Sequence, residues 1–386
     1  MRNSFLFVDR LKSVAILLLL QVWLALGAAC GDSPNAPLTR AERFQAALEN
    51  ARASNNVIGV SAAVIVPGEG TWVGVSGRSD PTTALRPEML FGIASVTKTS
   101  VAALILKLAE AGLVTLDDSL HNWLPAFQNI DTTITIRQLL NHTSGVFDYV
   151  NDSPDFWPAV KADLTKAWTP EEGLAFVQAP YFPPGSGWAY SNANYILLGM
   201  IIEEATGSPV ATELRNRLWN PLNLNSTFLA VEEAIAGDVA HPWSDFFDGD
   251  GTLDDIASLP RTALYSTAWT AGAMFSTAGE LATWTKALYE GQVISQSSLG
   301  QMLTFYPVPP TWSPPLTGYG LGTGQAIWSG RELWGHLGNI PGYRSLVVYS
   351  PDDGLTMAIL INQDVGNDLR LVIAAALLNV ALDTET

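Results

Sequence analysis

The sequence predicts an α+β fold: an antiparallel sheet built from both chain ends, flanked by helices, with a large, mostly helical insertion. Three observations carry this. Near the start, a helical pattern precedes two strand-like runs joined by a turn. Near the end, four more strand-like runs alternate with Gly, Pro and Asp turns and finish in an apolar helix. Between them, from about 108 to 270, helical periodicity and Pro/Gly/Trp-rich loops dominate.

In chain order, Arg40 to Asn55 places Phe44, Ala47, Leu48 and Ala51 at helical spacing. Val57 to Val66 reads as a strand, Pro67-Gly68-Glu69-Gly70 as a turn and Thr71 to Ser76 as a second strand, which together make a hairpin. Val101, Leu104, Ile105 and Leu108 mark one face of a helix whose other positions include Ala102, Ala103 and Leu106. That helix is predicted to be buried and to stop at Gly112. Ile136 to Leu140 begins a helix that Asn141-His142-Thr143-Ser144-Gly145 ends. A strongly apolar helix runs from near Asn194 to Ala205. The loop holding Asp245, Asp248, Asp250, Asp254 and Asp255 lacks the closing Glu of a calcium loop and is expected to be a solvated surface loop. Ala271 to Leu288 reads as one helix. Strands follow at 326–329, 332–336, 345–350 and 356–362, with turns at Ser329-Gly330, at Gly338 to Gly342 and at Pro351 to Gly354. Leu369 to Leu382 closes the chain as a helix.

The 386 residues are 48% hydrophobic and 15% charged, enough for a full core. A net charge of −17 leaves no excess of Lys and Arg to meet phosphates, so nucleic acid is excluded as a partner, and so is electrostatic docking on anionic lipid. Four scattered histidines and one cysteine do not make an ordinary zinc site, and no phosphate-binding or dinucleotide glycine motif is present. No metal or organic cofactor is expected. Residues 1–29 have a basic start (Arg2, Arg10, Lys12), an apolar run and small residues at the end, the pattern of a signal peptide. The segment Leu26-Gly27-Ala28-Ala29-Cys30 resembles a bacterial lipoprotein signal, although Gly27 stands where that motif prefers Leu. Cys30, the only cysteine, is the expected lipidation site, and 30–40 reads as a tether. These features predict an exported protein, periplasmic or at the cell surface, held to the membrane only through that anchor.

The chemistry centres on Ser95 and Lys98. Residues three apart at a helix start share a face, so the Lys98 amine can lie beside the Ser95 hydroxyl. A serine hydroxyl needs an adjacent base, and a lysine taken out of water loses its proton more easily. The same serine is also a good N-cap, so this pair alone leaves both readings open. Two later segments add weight. In Gly185-Ser186-Gly187-Trp188-Ala189-Tyr190-Ser191-Asn192, Tyr190 and Asn192 can both face a cleft. A phenol near a lysine ammonium can ionise more readily and relay a proton, and the Asn amide offers donors and an acceptor. In Trp334-Gly335-His336-Leu337-Gly338-Asn339, the glycines permit close backbone approach beside a strand edge.

Ser95-x-x-Lys98, Tyr190-x-Asn192 and His336-x-Gly338 in this order resemble the serine beta-lactamase and DD-peptidase superfamily, specifically its class C-like branch. That branch includes class C beta-lactamases, DD-carboxypeptidases, D-amino-acid peptidases and esterases. Leu139 to Gly145, Ala271 to Thr277 and Gly338 to Tyr343 are similar to it as well. The resemblance covers about 41–383, with an α/β part at 41–107 and 271–383 and a helical part at 108–270. It implies that Ser95 is the nucleophile that forms an acyl-enzyme and that Lys98 and Tyr190 share the proton work. Asn192 would hold the substrate amide and the Lys98 side chain. His336 and Gly338 would line the substrate site, and the backbone N–H groups of Ser95 and Asn339 would form the oxyanion hole. The expected activity is hydrolysis of an ester or amide by an esterase or a D-amino-acid peptidase or carboxypeptidase of the cell envelope. The substrate would be a small ester or amide or a peptidoglycan-derived peptide. A beta-lactamase, or a non-catalytic cell-wall or penicillin-binding protein, is the alternative. Two departures bear on this choice. His336 replaces the lysine of the lactamase Lys-Thr-Gly, and Leu337 replaces its threonine, so recognition of a substrate carboxylate is disfavoured. The thirteen tryptophans, including Trp157, Trp188 and Trp334, either line an apolar acyl pocket or pack loops and core.

Overall fold

The structure, a computed structural model, describes residues 37–310, 316–328, 330–364 and 368–382. The leader 1–29, Cys30 and the tether to residue 36 lie outside the described residues. The described residues up to Glu42 and those from Arg43 belong to separate units. In the first, the Glu42 carboxylate accepts from the backbone N–H and the hydroxyl of Thr39 at 2.7 and 2.8 Å. The second unit contains everything that follows.

Helix α1 (Arg40–Ser54) precedes the hairpin of β1 (Gly59–Val66) and β2 (Gly70–Gly77). Helix α2 (Thr97–Glu110) buries Val101 to Leu106 and Leu108, as the all-round apolar sequence requires. Helix α3 (Asn192–Thr206) ends on Gly207, whose φ of +67° supplies the left-handed cap. The expected single helix at 271–288 is instead two helices: α4 (Thr262–Gly272) and α5 (Ala278–Tyr289). Between them Met274–Ser276 is a short strand that pairs with Phe91–Gly92 on one side and Phe228–Leu229 on the other. Periodicity could not reveal this break, because the residues are buried in either conformation. The restart at Thr277 does carry a signal, since its side chain accepts from Glu280 N–H as an N-cap.

The later strands are β3 (Tyr306–Pro307), β4 (Gly318–Tyr319), β5 (Gly324–Trp328), β6 (Arg331–Ile340), β7 (Tyr343–Ser350) and β8 (Leu355–Ile361), followed by helix α6 (Leu369–Leu382). Among the described residues they form one antiparallel sheet with the first hairpin, in the order β2-β1-β8-β7-β6-β5-β4-β3. The two chain ends meet where β1 pairs with β8, Val60 opposite Ile361. Strand β6 is longer than expected: it runs through Gly338 and Asn339, so the predicted turn at 338–342 shrinks to Pro341-Gly342. The short strands β3 and β4 were too brief to show a pattern.

Both faces of the sheet are covered, and β8 is buried at every position. On one face lie Phe44 and Leu48 of α1 with Ile373, Ala374 and Leu377 of α6. The other face belongs to the larger core, which holds α2, α3, α4 and α5. Continuous apolar strands such as Val60 to Val66 therefore follow from two-sided burial. Helix α2 lies deepest, and its leucines fill closely packed space. Leu104→Ala is expected to destabilise the protein by about 2–5 kcal/mol in urea unfolding. A loss below about 1 kcal/mol would contradict the central position of α2.

Candidate active site

Ser95 lies on a single 3₁₀ turn, Ala94–Val96, that runs directly into α2. The α-helix itself starts at Thr97, two residues after Ser95, which puts Lys98 in its first turn. The turn is held from two sides. Ile93 N–H donates to Met274 O at 2.9 Å, and the Ser345 hydroxyl on β7 donates to Ile93 O at 2.6 Å. Ala94 sits at φ +48°, an uncommon conformation for a residue with a side chain. Gly338 explains how β6 comes so close. A Cβ there would lie 2.2 Å from Ser345 Oγ and 2.3 Å from Ile93 O, so only glycine fits against the turn.

Lys98 has no exposed surface. Its Nζ is 3.1 Å from Ser95 Oγ, 2.8 Å from Asn192 Oδ1 and 2.6 Å from Ala271 O. Burial lowers its pKa to about 7, opposed by the Asp148 carboxylate. Near neutral pH a large share of Lys98 is therefore the free amine, able to take the Ser95 proton. Tyr190 also reaches this group. Its phenol hydrogen-bonds Ser95, and its ring centroid is 5.0 Å from Lys98 Nζ. The expectation that this phenol ionises readily is corrected here: burial raises its pKa well above the usual range, although the Ser95 bond works the other way. Tyr190 stays protonated and can act as a donor, while Lys98 is the neighbouring group able to accept a proton.

Asn192 meets Lys98 as the resemblance implied, but its other end is engaged elsewhere. Nδ2 donates to both carboxylate oxygens of Asp148, each at 3.2 Å. Asn192 also lines the cavity beside Ser95 and Tyr190. The segment carrying Tyr190 and Asn192 is templated by the loop 142–148. Ala189 N–H donates to His142 O at 3.1 Å, and Ser191 N–H to His142 Nδ1 at 3.2 Å. Sequence reasoning missed Asp148, although a lone acid inside Val146-Phe147-Asp148-Tyr149-Val150 was a readable signal.

His336 is buried, and both ring nitrogens are engaged: Nδ1 lies 2.6 Å from Leu337 O and Nε2 2.8 Å from the Tyr319 hydroxyl. Nδ1 must therefore carry the proton, and Nε2 accepts from Tyr319. Burial, reinforced by Lys98, lowers its pKa to about 3. The ring is neutral and does not supply the cation of the lactamase motif. Strand β5 pairs with β6 only as far as Gly335, so His336 to Ile340 present an open strand edge. The turn Pro341-Gly342 makes Ile340 and Tyr343 the closing pair. One residue back, Asn339 directs its N–H away from β7, toward that open edge. Asn339 and Ser95 both line a cavity of about 730 Å³. Its walls include Trp157, Leu264, Ile327 and Trp334, while Trp188 packs in a separate small cluster with Val308 and Tyr319.

A buried amine beside a serine hydroxyl, at a helix start and facing an open strand edge, is a centre able to form a covalent adduct on the serine. Residues 44–382 match the Beta-lactamase family model, and the chain belongs to that family. It is 30% identical over 346 residues to penicillin-binding protein 4 of Amycolatopsis lactamdurans, covering 83% of this chain and 84% of that protein. It is 28% identical to penicillin-binding protein 4* of Bacillus subtilis (strain 168), over 76% of this chain and only 65% of that protein's length. Among solved structures, a D-stereospecific amidohydrolase from Streptomyces sp. superposes with a TM-score of 0.74 at 32% identity, over 87% of this chain and 98% of that one. The D-amino acid amidase from Ochrobactrum anthropi SV3 superposes with a TM-score of 0.77 at 28% identity, over 88% and 99%.

The rate of Ser95 modification is expected to follow the free-amine form of Lys98. It should rise with pH through a midpoint near 7 and fall away below it. A pH–rate profile flat between 5 and 9 would show that Lys98 is not the base.

Proposed function

We propose that this protein is a serine hydrolase that acts through an acyl-enzyme on neutral esters or amides with an apolar acyl part. The observation that carries this reading is the contact of Lys98, fully buried and with a pKa near 7, with the Ser95 hydroxyl at 3.1 Å. Ser95 Oγ attacks the substrate carbonyl carbon as its proton passes to Lys98. The carbonyl oxygen becomes an oxyanion that the N–H groups of Ser95 and Asn339 receive. On collapse the bond to the leaving group breaks, and the leaving group takes a proton from Tyr190, which Lys98 replenishes. Water then attacks the ester on Ser95 with Lys98 again as base, releasing the acid and restoring the hydroxyl.

Charge on the cavity wall favours a substrate without a carboxylate. Among the described lining residues, Arg370 is the one permanent cation, and it is buried. Its guanidinium donates to Asp368, to Gly338 O at 2.7 Å and to Ser345 O at 3.1 Å. His336 is neutral, Leu337 has no hydroxyl, and Asp148 and Asp152 are on the same wall. A substrate carboxylate entering there would lose water without gaining a partner. Amidases and an esterase among the relatives, the latter EstB of Burkholderia gladioli at 32% identity over half of this chain, support the same choice. We also propose export and lipidation at Cys30, on the strength of the leader pattern.

A fluorophosphonate is expected to label the chain from Gly31 onward at Ser95, located by peptide mass. Ser95→Ala should abolish labelling and reduce turnover by about 10⁴-fold or more. Neutral aromatic esters and D-amino acid amides should be hydrolysed with kcat/KM about 100-fold above penicillin. Penicillin turned over as fast as the esters would overturn the carboxylate argument, and turnover that survives Ser95→Ala would overturn the mechanism. Expressed in a bacterium with a lipoprotein pathway, the full chain should incorporate labelled palmitate, and Cys30→Ala should not; equal incorporation by both would refute the anchor.

A further inference from the structure

Asp148 is 2% exposed and lies at the wall of the cavity, next to the catalytic cluster. Every hydrogen-bond partner recorded at its carboxylate is an N–H group. Oδ1 accepts from Val150 N at 3.3 Å, Asn192 N at 3.1 Å and Asn192 Nδ2 at 3.2 Å. Oδ2 accepts from Asn151 Nδ2 at 2.5 Å and Asn192 Nδ2 at 3.2 Å. Burial raises the Asp148 pKa, and the N–H donors on both oxygens together with Lys98 oppose it, favouring the ionised, acceptor-only form of the carboxyl. These bonds also decide which way the Asn192 amide faces. Its NH₂ must point at Asp148, so its oxygen must point at Lys98, where it is found at 2.8 Å.

We propose that Asp148 is a positioning residue for acylation: through Asn192 it fixes the Lys98 amine against Ser95, and its negative charge balances the Lys98 cation inside the core. The inference rests on the serine-hydrolase reading and adds to it a residue outside the Ser-x-x-Lys, Tyr-x-Asn and His-x-Gly motifs. The groups around Lys98 make Asp148 the electrostatic partner. From the helix side it faces Ser95, and from α4 the carbonyl of Ala271. Tyr190 and Tyr195 offer ring faces at 5.0 and 5.3 Å, and burial keeps both phenols protonated. His142 and His336 act on Lys98 from the loop and from β6, and burial keeps both neutral. Asp148 is thus the anion among the described groups that act on Lys98. It holds the Lys98 pKa up against the effect of burial, so removing its charge must lower that pKa further.

The test uses the rate of Ser95 labelling by a fluorophosphonate between pH 5 and 9, which needs no knowledge of the natural substrate. Asp148→Asn keeps an acceptor for Asn192 but loses the charge; its labelling midpoint should move down by about one pH unit. Asp148→Ala loses both and should slow labelling at the optimum by about tenfold or more. At a pH above both labelling midpoints, where Lys98 is the free amine, the double variant Asp148→Ala/Asn192→Ala should be no slower than Asn192→Ala within about threefold, because there Asp148 acts only through Asn192. Thermal unfolding confirms that each variant is folded before its rate is read. An unmoved midpoint in folded Asp148→Asn, or losses that multiply in the double variant, would overturn the proposal. A wild type that does not label at all overturns the hydrolase reading, and this inference with it.

Discussion

Lys98 has its whole side chain inside the protein, and most of the site can be understood as the set of contacts that makes this tolerable. An unpaired ammonium in a core is strongly disfavoured, and the usual escape is loss of the proton. Here the amine meets a hydroxyl, an amide oxygen and a backbone carbonyl, which match the three donors of the charged form. The neutral form keeps two of those bonds and can accept the third from Ser95. Both states are accommodated, and the balance between them lies near neutral pH. A lysine in water, with its pKa above 10, would remain charged and could not serve as the base.

Holding that amine in place requires three distant pieces of chain. The 3₁₀ turn and α2 bring Ser95 and Lys98, the start of α3 and the segment before it bring Asn192 and Tyr190, and the end of α4 brings the carbonyl of Ala271. Strand β6 then closes the site at Gly338, where any side chain would collide with the nucleophile turn. Sliding β6 by one register would bring a side chain to the place of Gly338, where a Cβ would lie 2.3 Å from Ile93 O. The unpaired edge beyond Gly335 is thus held at a fixed distance from Ser95 while remaining free to meet a substrate.

The same burial sets the electrostatics of the cavity. Asp148 sits close behind Asn192, and Arg370 is engaged by Asp368 and two carbonyls. His336 is held neutral between Leu337 O and Tyr319. A histidine at this position differs from a lysine in more than charge. A flat ring with one proton on Nδ1 becomes a hydrogen-bond acceptor for a tyrosine, and its neighbours exclude water from it. The resulting wall is apolar and slightly acidic, which is a statement about substrates as much as about stability.

Much of this was legible in the sequence. Helix α2, the first hairpin, the return of strands near the end and the closing helix all show in the spacing of apolar residues, because burial on one side or all round leaves a periodic mark. The pairing of Ser95 with Lys98 follows from helix geometry alone, three residues apart on one face. The order of the three motifs was enough to indicate the family. What sequence could not decide depends on contacts between segments far apart in the chain. Whether Ala271 to Leu288 is one helix or two depends on Phe91 and Phe228 lying beside Met274 to Ser276. Whether Tyr190 ionises depends on how completely its surroundings exclude water, and no local pattern records that. The partner of Asn192 is Asp148, forty-four residues earlier in the chain, and the hydroxyl that His336 Nε2 meets is that of Tyr319, on another strand. The sequence by itself determined which groups could do chemistry and which elements carry them, because composition and periodicity are local. Only the tertiary structure decided their protonation and orientation, because dielectric and hydrogen-bond partners belong to the packed interior.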